Sequence, residues 1–581
     1  MDENKSGDTT SGNVTRREFL KRTSRFSIAA LGGAGFIAHA AGNPDGATGS
    51  AIARGTVFLD ANRSGRADGQ RGLPGVLVSN GVDLVETDEA GEYSLPVTED
   101  TIIHVIKPRG YRTTIDDLNL PRFYYIHKPE GSPDDDFLYK GIAPTGPLPA
   151  RIDFPLYEQE EPDAFEVLFT ADPQAYNLQH LKWYAEETTA EFSRQKVAFG
   201  IALGDIVGNH LDLLEPYNRV NAHCGFPWHN VIGNHDLNFM ASGDRYSDET
   251  FKRIFGPTTY AFQYGRVHFI ILNNVFWRGF TRMRRDGWPR RGQYRGHIRP
   301  AQFEYIRNYL QHTSTDERIV VCAHIPMVER PGVDEKHGTP EFPELLQLLS
   351  KHPYTLSFSG HHHINMNHFY GEETGYRAPG GALHHHCNLT AASGSWYRGP
   401  LDRYGVPFSP GRDGSPKGYA LVRFEGGDRY RISLKALGCS ADEQMSVTLP
   451  AEVERAKLAG TTVQVNVFSG SEKTRVSMRV DEGPWIELEQ NSTVDRQYSA
   501  LRQRSEEHPD AGEGRLRRAI TTDHIWEAPL PAEIADGWHD VTVVCKGTFG
   551  ERWTAKRTFL VVSDPAALAP LRQGTRSPRE V

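Results

Sequence analysis

The sequence predicts an α/β domain set between two β-rich domains. From Phe165 to Ser359, short apolar runs alternate with stretches at helical spacing, which places helices on the faces of a β-sheet. Before that region, from Arg54, and after it, from Gly399, runs of strand length are separated by turn residues, as in β-sandwiches. The chain has 581 residues, more than a single core of about 150 residues needs, so two to four domains are expected.

The first 41 residues read as an address. Thr15-Arg16-Arg17-Glu18-Phe19-Leu20-Lys21 precedes a moderately apolar, Gly- and Ala-rich stretch from Phe26 to Ala41. This is the twin-arginine signal pattern, and Ala38-His39-Ala40 resembles a small-residue cleavage site. The stretch is too short and too weakly apolar for a confident spanning helix. The expectation is a soluble protein exported by the twin-arginine route, periplasmic or extracellular and without a stable membrane span. A retained anchor is the alternative.

Residues 42–53, rich in Gly, Pro, Ala, Ser and Thr, read as a linker. Strands are expected at 55–60, 75–79, 92–96 and 102–106, divided by turns such as Asn80-Gly81. Asp60, Asn62, Ser64 and Asp68 resemble the calcium loop of bacterial surface β-sandwich repeats. Arg63, Arg66 and Arg71 oppose a cation there, so a polar hairpin turn is favoured. Asp134-Asp135-Asp136 reads as a solvated loop, and the charged, Pro-bearing stretch from Glu158 to Asp163 as a domain boundary.

In the central region strands are expected at 165–169, 197–203, 228–232, 267–272, 318–323 and 355–359. Helices are expected at 177–194 and 300–310. After Gly399 the expected strands are 419–424, 463–468, 475–480, 541–544 and 558–562, with 505–518 as a charged mobile insertion. The resulting domains are 1–41 signal peptide, 54–158 N-terminal β-sandwich, 163–399 central α/β domain and 400–563 C-terminal β-sandwich.

Composition narrows the function. The chain is 38% hydrophobic and 24% charged, ordinary for a globular protein. A net charge of −9 argues against a general polyanion binder, so no nucleic-acid partner is expected. The five cysteines show no close CxxC pair, which argues against a zinc ribbon or a dense disulfide framework.

Five blocks carry chemistry. They are Asp172-Pro173-Gln174, Gly204-Asp205, Gly233-Asn234-His235-Asp236, Ala323-His324-Ile325-Pro326 and Gly360-His361-His362-His363, each after a short apolar run. Carboxylates, amides and imidazoles are poor core material unless paired. They are good ligands for Mn, Fe or Zn, with Mg possible, and an imidazole can also handle a proton.

In this order the blocks resemble the calcineurin-like metallophosphoesterases, over roughly Phe165 to Ala392. The resemblance implies a four-layer α-β-β-α sandwich with two divalent metal ions at the strand ends. It implies that Asp205 bridges both metals, that Asp172 and His363 complete the first site, and that Asn234, His324 and His361 complete the second. His235 would act near the phosphoryl group, with Asp236 as its orienting partner. Gln174 departs from the family, which usually has His there; an amide oxygen is a harder, weaker ligand than imidazole. Some branches of the superfamily carry Asp-Pro-Gln at this place. Asp413-Gly414-Ser415-Pro416-Lys417-Gly418-Tyr419 and His524-Ile525-Trp526 resemble the C-terminal module of exported bacterial members.

The reading is an exported metal-dependent phosphoesterase that hydrolyses a phosphate mono- or diester by metal-activated water. The expected substrate is a phosphorylated small molecule or an envelope glycan or lipid. The alternative is a cell-envelope binding protein with a degenerate phosphoesterase domain. A nuclease is disfavoured by the acidic net charge. His384-His385-His386, Trp396-Tyr397-Arg398 and Tyr294-Arg295 are candidate substrate contacts. Arg282-Met283-Arg284-Arg285 reads as a solvated basic face.

Overall fold

A computed structural model describes residues 51–133, 137–280, 292–327, 338–426, 428–508 and 512–563. The expected signal, the acidic triplet at 134–136, the basic run at 282–285 and the tail after Ser563 lie outside the described residues. What is described is a mixed α/β core with a β-rich region on either side of it in the chain. None of the described helices is long and apolar enough to cross a membrane.

Two sheets make the core. In the first, Trp228–Asn230, Phe199–Ala202 and Phe165–Thr170 lie side by side and parallel. Its other edge comes from later in the chain. Gly418–Phe424 pairs antiparallel with Phe165–Thr170, and Tyr430–Ala436 closes the sheet. The boundary expected at 399/400 is therefore corrected, because two strands beyond it complete the first sheet of the core. The second sheet runs Tyr260–Tyr264, Val267–Leu272, Arg318–Ala323, Thr355–Ser359, His384–Asn388, Met366–Tyr370. Its four middle strands are parallel.

Alternation along each strand decides the packing. Val167 and Phe169 face the second sheet, where Phe169 stacks on Phe358 at 4.2 Å beside Val320 and Leu356. Leu168 faces the other way, onto Leu181, Tyr184 and Phe192. Ile319 and Val321 likewise turn outward, onto Phe303 and Ile306 of the Pro300–Leu310 helix and Leu345 and Leu346 of the Phe342–Leu349 helix. The helix expected over 177–194 is a continuous run from Leu178 to Phe192, with a wider π-type turn at Tyr184–Thr189. Asn177 caps it by accepting from the His180 N–H.

In the N-terminal region the first strand is Ala51–Leu59, so it begins inside the stretch expected to be linker. Ala53, fully buried, pairs with Leu95 and extends the in–out alternation of the strand. Phe154–Glu158, not among the expected strands, runs parallel beside it. The Asp60 loop is a turn: its carboxylate accepts from the Ser64 and Gly65 N–H groups and from the Tyr157 hydroxyl.

The C-terminal region has a four-stranded and a five-stranded sheet around one core that includes Val465, Met478, Trp526 and Val543. The insertion expected at 505–518 is corrected as well. Arg496–Glu507 is a helix capped by Asp495, and Gly512–Glu513 pairs with Gly399–Pro400 of the core.

Candidate metal centre

All five blocks lie just past the C-terminal ends of parallel strands, on loops at one edge of the two sheets. That edge is where open α/β sheets place their ligands. The backbone there is unusual. Asp172, Gln174, Asp205, His361 and His363 have φ of 49°, 42°, 49°, 72° and 57°, a region non-glycine residues seldom adopt outside functional sites. Two glycines are needed for close approach. A Cβ on Gly233 would stand 2.2 Å from Asp205 Oδ1, and one on Gly360 would stand 2.4 Å from Asp172 Oδ2.

One group of donors is tight. Single ligand atoms of Asp205, His324 and His361 lie within 4.8 Å of one another. His324 Nε2 is 3.2 Å from Asp205 Oδ1, 3.1 Å from Asn234 Oδ1 and 3.2 Å from His361 Nδ1. Its Nδ1 is 2.8 Å from the Leu203 carbonyl, so Nδ1 carries the proton and Nε2 presents its lone pair to the group. Burial opposes a charge on His324, but Asp205, Asp172 and the Leu203 carbonyl raise its pKa to about 9. Protons and a cation would compete for it.

The second group surrounds Asp172. His363 Nε2 lies 3.4 Å from Asp172 Oδ1, and His363 Nδ1 is 2.5 Å from the Gly394 carbonyl. Gln174 donates through Nε2 to Asp205 Oδ2 at 3.2 Å. Asp172 Oδ1 and Gln174 Oε1 are buried and accept no hydrogen bond. Buried acceptors are rarely left so. Asp172 and Asp205 are themselves buried, and no Lys or Arg among the described residues pairs with either. Buried carboxylates without a cation are costly. The residues present therefore fit divalent metal ions, with Gln174 Oε1 as an oxygen donor where the family usually has imidazole.

The structure thus brings together Asp172, Gln174, Asp205, Asn234, His324, His361 and His363. The assignment of Asp236 as the partner of His235 is corrected. Asp236 accepts from three backbone N–H groups, those of Gly233, Val207 and Ile206, at 2.8, 3.1 and 3.2 Å. It pins the loop beneath Asp205. Burial and the Asp205 charge push its pKa up to about 7, against those three donors.

His235, half-buried at the mouth, finds its Nδ1 partner in Asn209 Oδ1 at 2.5 Å, and its N–H donates to Asp205 Oδ1 at 2.7 Å. Burial lowers the pKa of His235, and the Asp205 charge raises it. Asn209 was not among the expected site residues. Its signal in the sequence is faint, an amide a few residues past Gly204-Asp205; the structure adds a φ of 74°.

Of the candidate substrate contacts, Trp396 stacks on His363 at 4.3 Å and Tyr294 meets His361 edge-on at 5.9 Å. Tyr397 is buried and donates to the Pro173 carbonyl. His384-His385-His386 are corrected: they form a buried strand of the second sheet and line no mouth.

Comparison with known families agrees with this layout. Residues 165–365 match the calcineurin-like phosphoesterase family, residues 61–141 its N-terminal region and residues 386–553 its C-terminal region. The chain belongs to the calcineurin-like phosphoesterases that carry both flanking regions. Among solved structures it is similar to purple acid phosphatase PPD1 from yellow lupin (Lupinus luteus) seeds. That match is 11% identical with a TM-score of 0.32, over 62% of this chain and 67% of that one. It is also similar to a structure of PhoD, at 8% identity and a TM-score of 0.34, over 77% and 92% of the two chains. No curated protein sequence matches the chain significantly.

Proposed function

We propose that the protein is an exported dinuclear-metal hydrolase of phosphate mono- or diesters. The observation that carries this reading is the pair of buried carboxylates, Asp172 and Asp205. They have no Lys or Arg partner among the described residues and are ringed by imidazoles and by the free Gln174 oxygen. Asp172, Gln174, Asp205 and His363 would hold one ion; Asp205, Asn234, His324 and His361 would hold the other. Mn, Fe or Zn suit this donor set, and Mg is compatible with the amide oxygen. Bound divalent ions supply Lewis acidity at the phosphoryl oxygens and lower the pKa of water. The chain's own part is orientation and proton movement. Leu203 and Gly394 fix the tautomers of His324 and His363 through their carbonyls. Asn209 holds His235 by Nδ1, which leaves Nε2 to move a proton at the ester or its leaving group.

The reading includes a four-layer core between β-sandwich modules, supported by the helices packed on the outer face of each sheet. It also includes export by the twin-arginine route to the periplasm or beyond, motivated by Arg16-Arg17 and the apolar stretch after them. The substrate is then a phosphorylated small molecule or an envelope glycan or lipid. The test is hydrolysis of p-nitrophenyl phosphate beside bis-p-nitrophenyl phosphate by metal-stripped protein resupplied with Mn, Fe, Zn or Mg. Turnover should return with metal in the native protein and not in Asp205→Ala. A native protein that takes up no metal would overturn the reading.

A further inference from the structure

The C-terminal region reaches the mouth of the metal centre. Pairing of Gly512–Glu513 with Gly399–Pro400 brings the segment alongside. Buried Leu516 packs against Gly399, the Leu516 N–H donates to Ser505 Oγ at 3.3 Å, and the Tyr498 hydroxyl donates to the Arg517 carbonyl at 2.9 Å. These anchors deliver the Arg517 guanidinium to the Trp396 ring, 3.7 Å from its centroid. The same indole stacks on His363. Arg398, two residues along from Trp396, lies beside Gly514 of the same segment.

These two arginines are exposed, and among the described residues neither has a carboxylate partner. Arg398 and Arg412 act on Arg517 as like charges; the partial burial of its guanidinium over Trp396, and then these charges, press it below its usual range. Trp396 lies between the Arg517 guanidinium, 3.7 Å from its ring centroid, and the His363 ring at 4.3 Å, which puts Arg517 one aromatic ring away from the candidate metal centre. Like charges held together on fixed backbone repel, and a bound oxyanion relieves that repulsion. A guanidinium fork matches the oxygens of a phosphoryl group.

We propose that Arg398 and Arg517 form an anion subsite beside the metal centre that takes a second phosphoryl group of the substrate. This rests on the dinuclear hydrolase reading and adds to it a substrate class, esters with two phosphoryl groups. It also gives the C-terminal region a direct part in recognition.

The test is calorimetric binding of propyl phosphate and propane-1,3-diyl bisphosphate to the full protein at a fixed excess of free Mn. The bisphosphate should bind at least tenfold more tightly. That preference should fall about tenfold in Arg517→Met and in Arg398→Met, and return in part in Arg517→Lys. Equal binding of the two compounds by the native protein, or a preference that survives both Met variants, would overturn the subsite alone. Native protein that binds no Mn and neither compound would overturn the hydrolase reading, and the subsite with it.

Discussion

His235 is held by an amide and not by a carboxylate. Asn209 Oδ1 accepts from Nδ1 at 2.5 Å, and the Asn209 N–H in turn donates to the His235 carbonyl at 3.2 Å. A neutral acceptor fixes the tautomer and the ring plane without the added basicity that a carboxylate confers. That suits the proposed role of His235, giving up a proton as well as holding one. If the proposed dinuclear hydrolase reading holds, Asn209→Ala should leave the metals bound and lower turnover about 10- to 100-fold, as the loss of an orienting partner does. Metal analysis beside steady-state kinetics checks this. Loss of metal together with turnover would place Asn209 among the residues that build the metal site itself.

The strands Thr355–Ser359 and His384–Asn388 show how an element can hide its purpose. On their shared outer face, Thr355 Oγ1, His384, Ser357 Oγ, His386, Ser359 Oγ and Asn388 Oδ1 form one chain of hydrogen bonds, with links from 2.7 to 3.2 Å. The Phe342–Leu349 helix covers it, with the Phe342 ring 5.8 Å from that of His384. Ser357→Ala would strip a partner from both imidazoles. The expected cost is about 1–3 kcal/mol for each group left unpaired, read as a lower denaturation midpoint with kcat/KM retained.

Burial lowers the His384 pKa to about 3. Below pH about 6.5 the unfolded chain therefore takes up a proton that the folded chain refuses. Stability contributed by this residue falls as pH drops from that point towards 3, and His384→Leu should flatten that part of the stability–pH curve. Local patterns in the sequence are sufficient for Val267–Leu272, Pro300–Leu310, Arg318–Ala323 and Thr355–Ser359, whose ends agree with the structure to the residue. The blocks of the candidate metal centre stand out for the same reason, since each follows its own strand. What a triple histidine does depends on which strand lies beside it, and no local pattern carries that.

At the scale of the whole molecule a buried polar cluster helps to join the C-terminal region to the core. Asp413 accepts from the Asn365 N–H at 2.9 Å, from the Ser415 N–H at 3.0 Å, and lies 2.9 Å from His524 Nε2. His524 Nδ1 meets Asn466 Oδ1 at 2.8 Å, and Asn466 donates on to Asp495. Asn365 is two residues past His363, so the cluster adjoins a proposed metal-binding loop on one side and the helix that helps to place Arg517 on the other. The segments around Asp413 and His524 stand out in the sequence, but their link spans 111 residues and is visible only in three dimensions.

Burial would raise the Asp413 pKa, yet His524, Asn365 and Ser415 hold it below its usual value. Its contribution to stability is therefore present above pH about 3.8 and is lost as pH falls through the lower folded value. His524→Leu removes the partner and leaves a buried carboxylate, at an expected cost of about 3–5 kcal/mol. Denaturation at pH 7 should show that loss. Limited proteolysis should then cut between residues 437 and 445, the join between the core and the C-terminal sheets, faster than in the native protein. An unchanged midpoint and an unchanged cutting rate would mean that the Gly399–Gly512 strand pairing and the apolar contacts position the C-terminal region without the cluster.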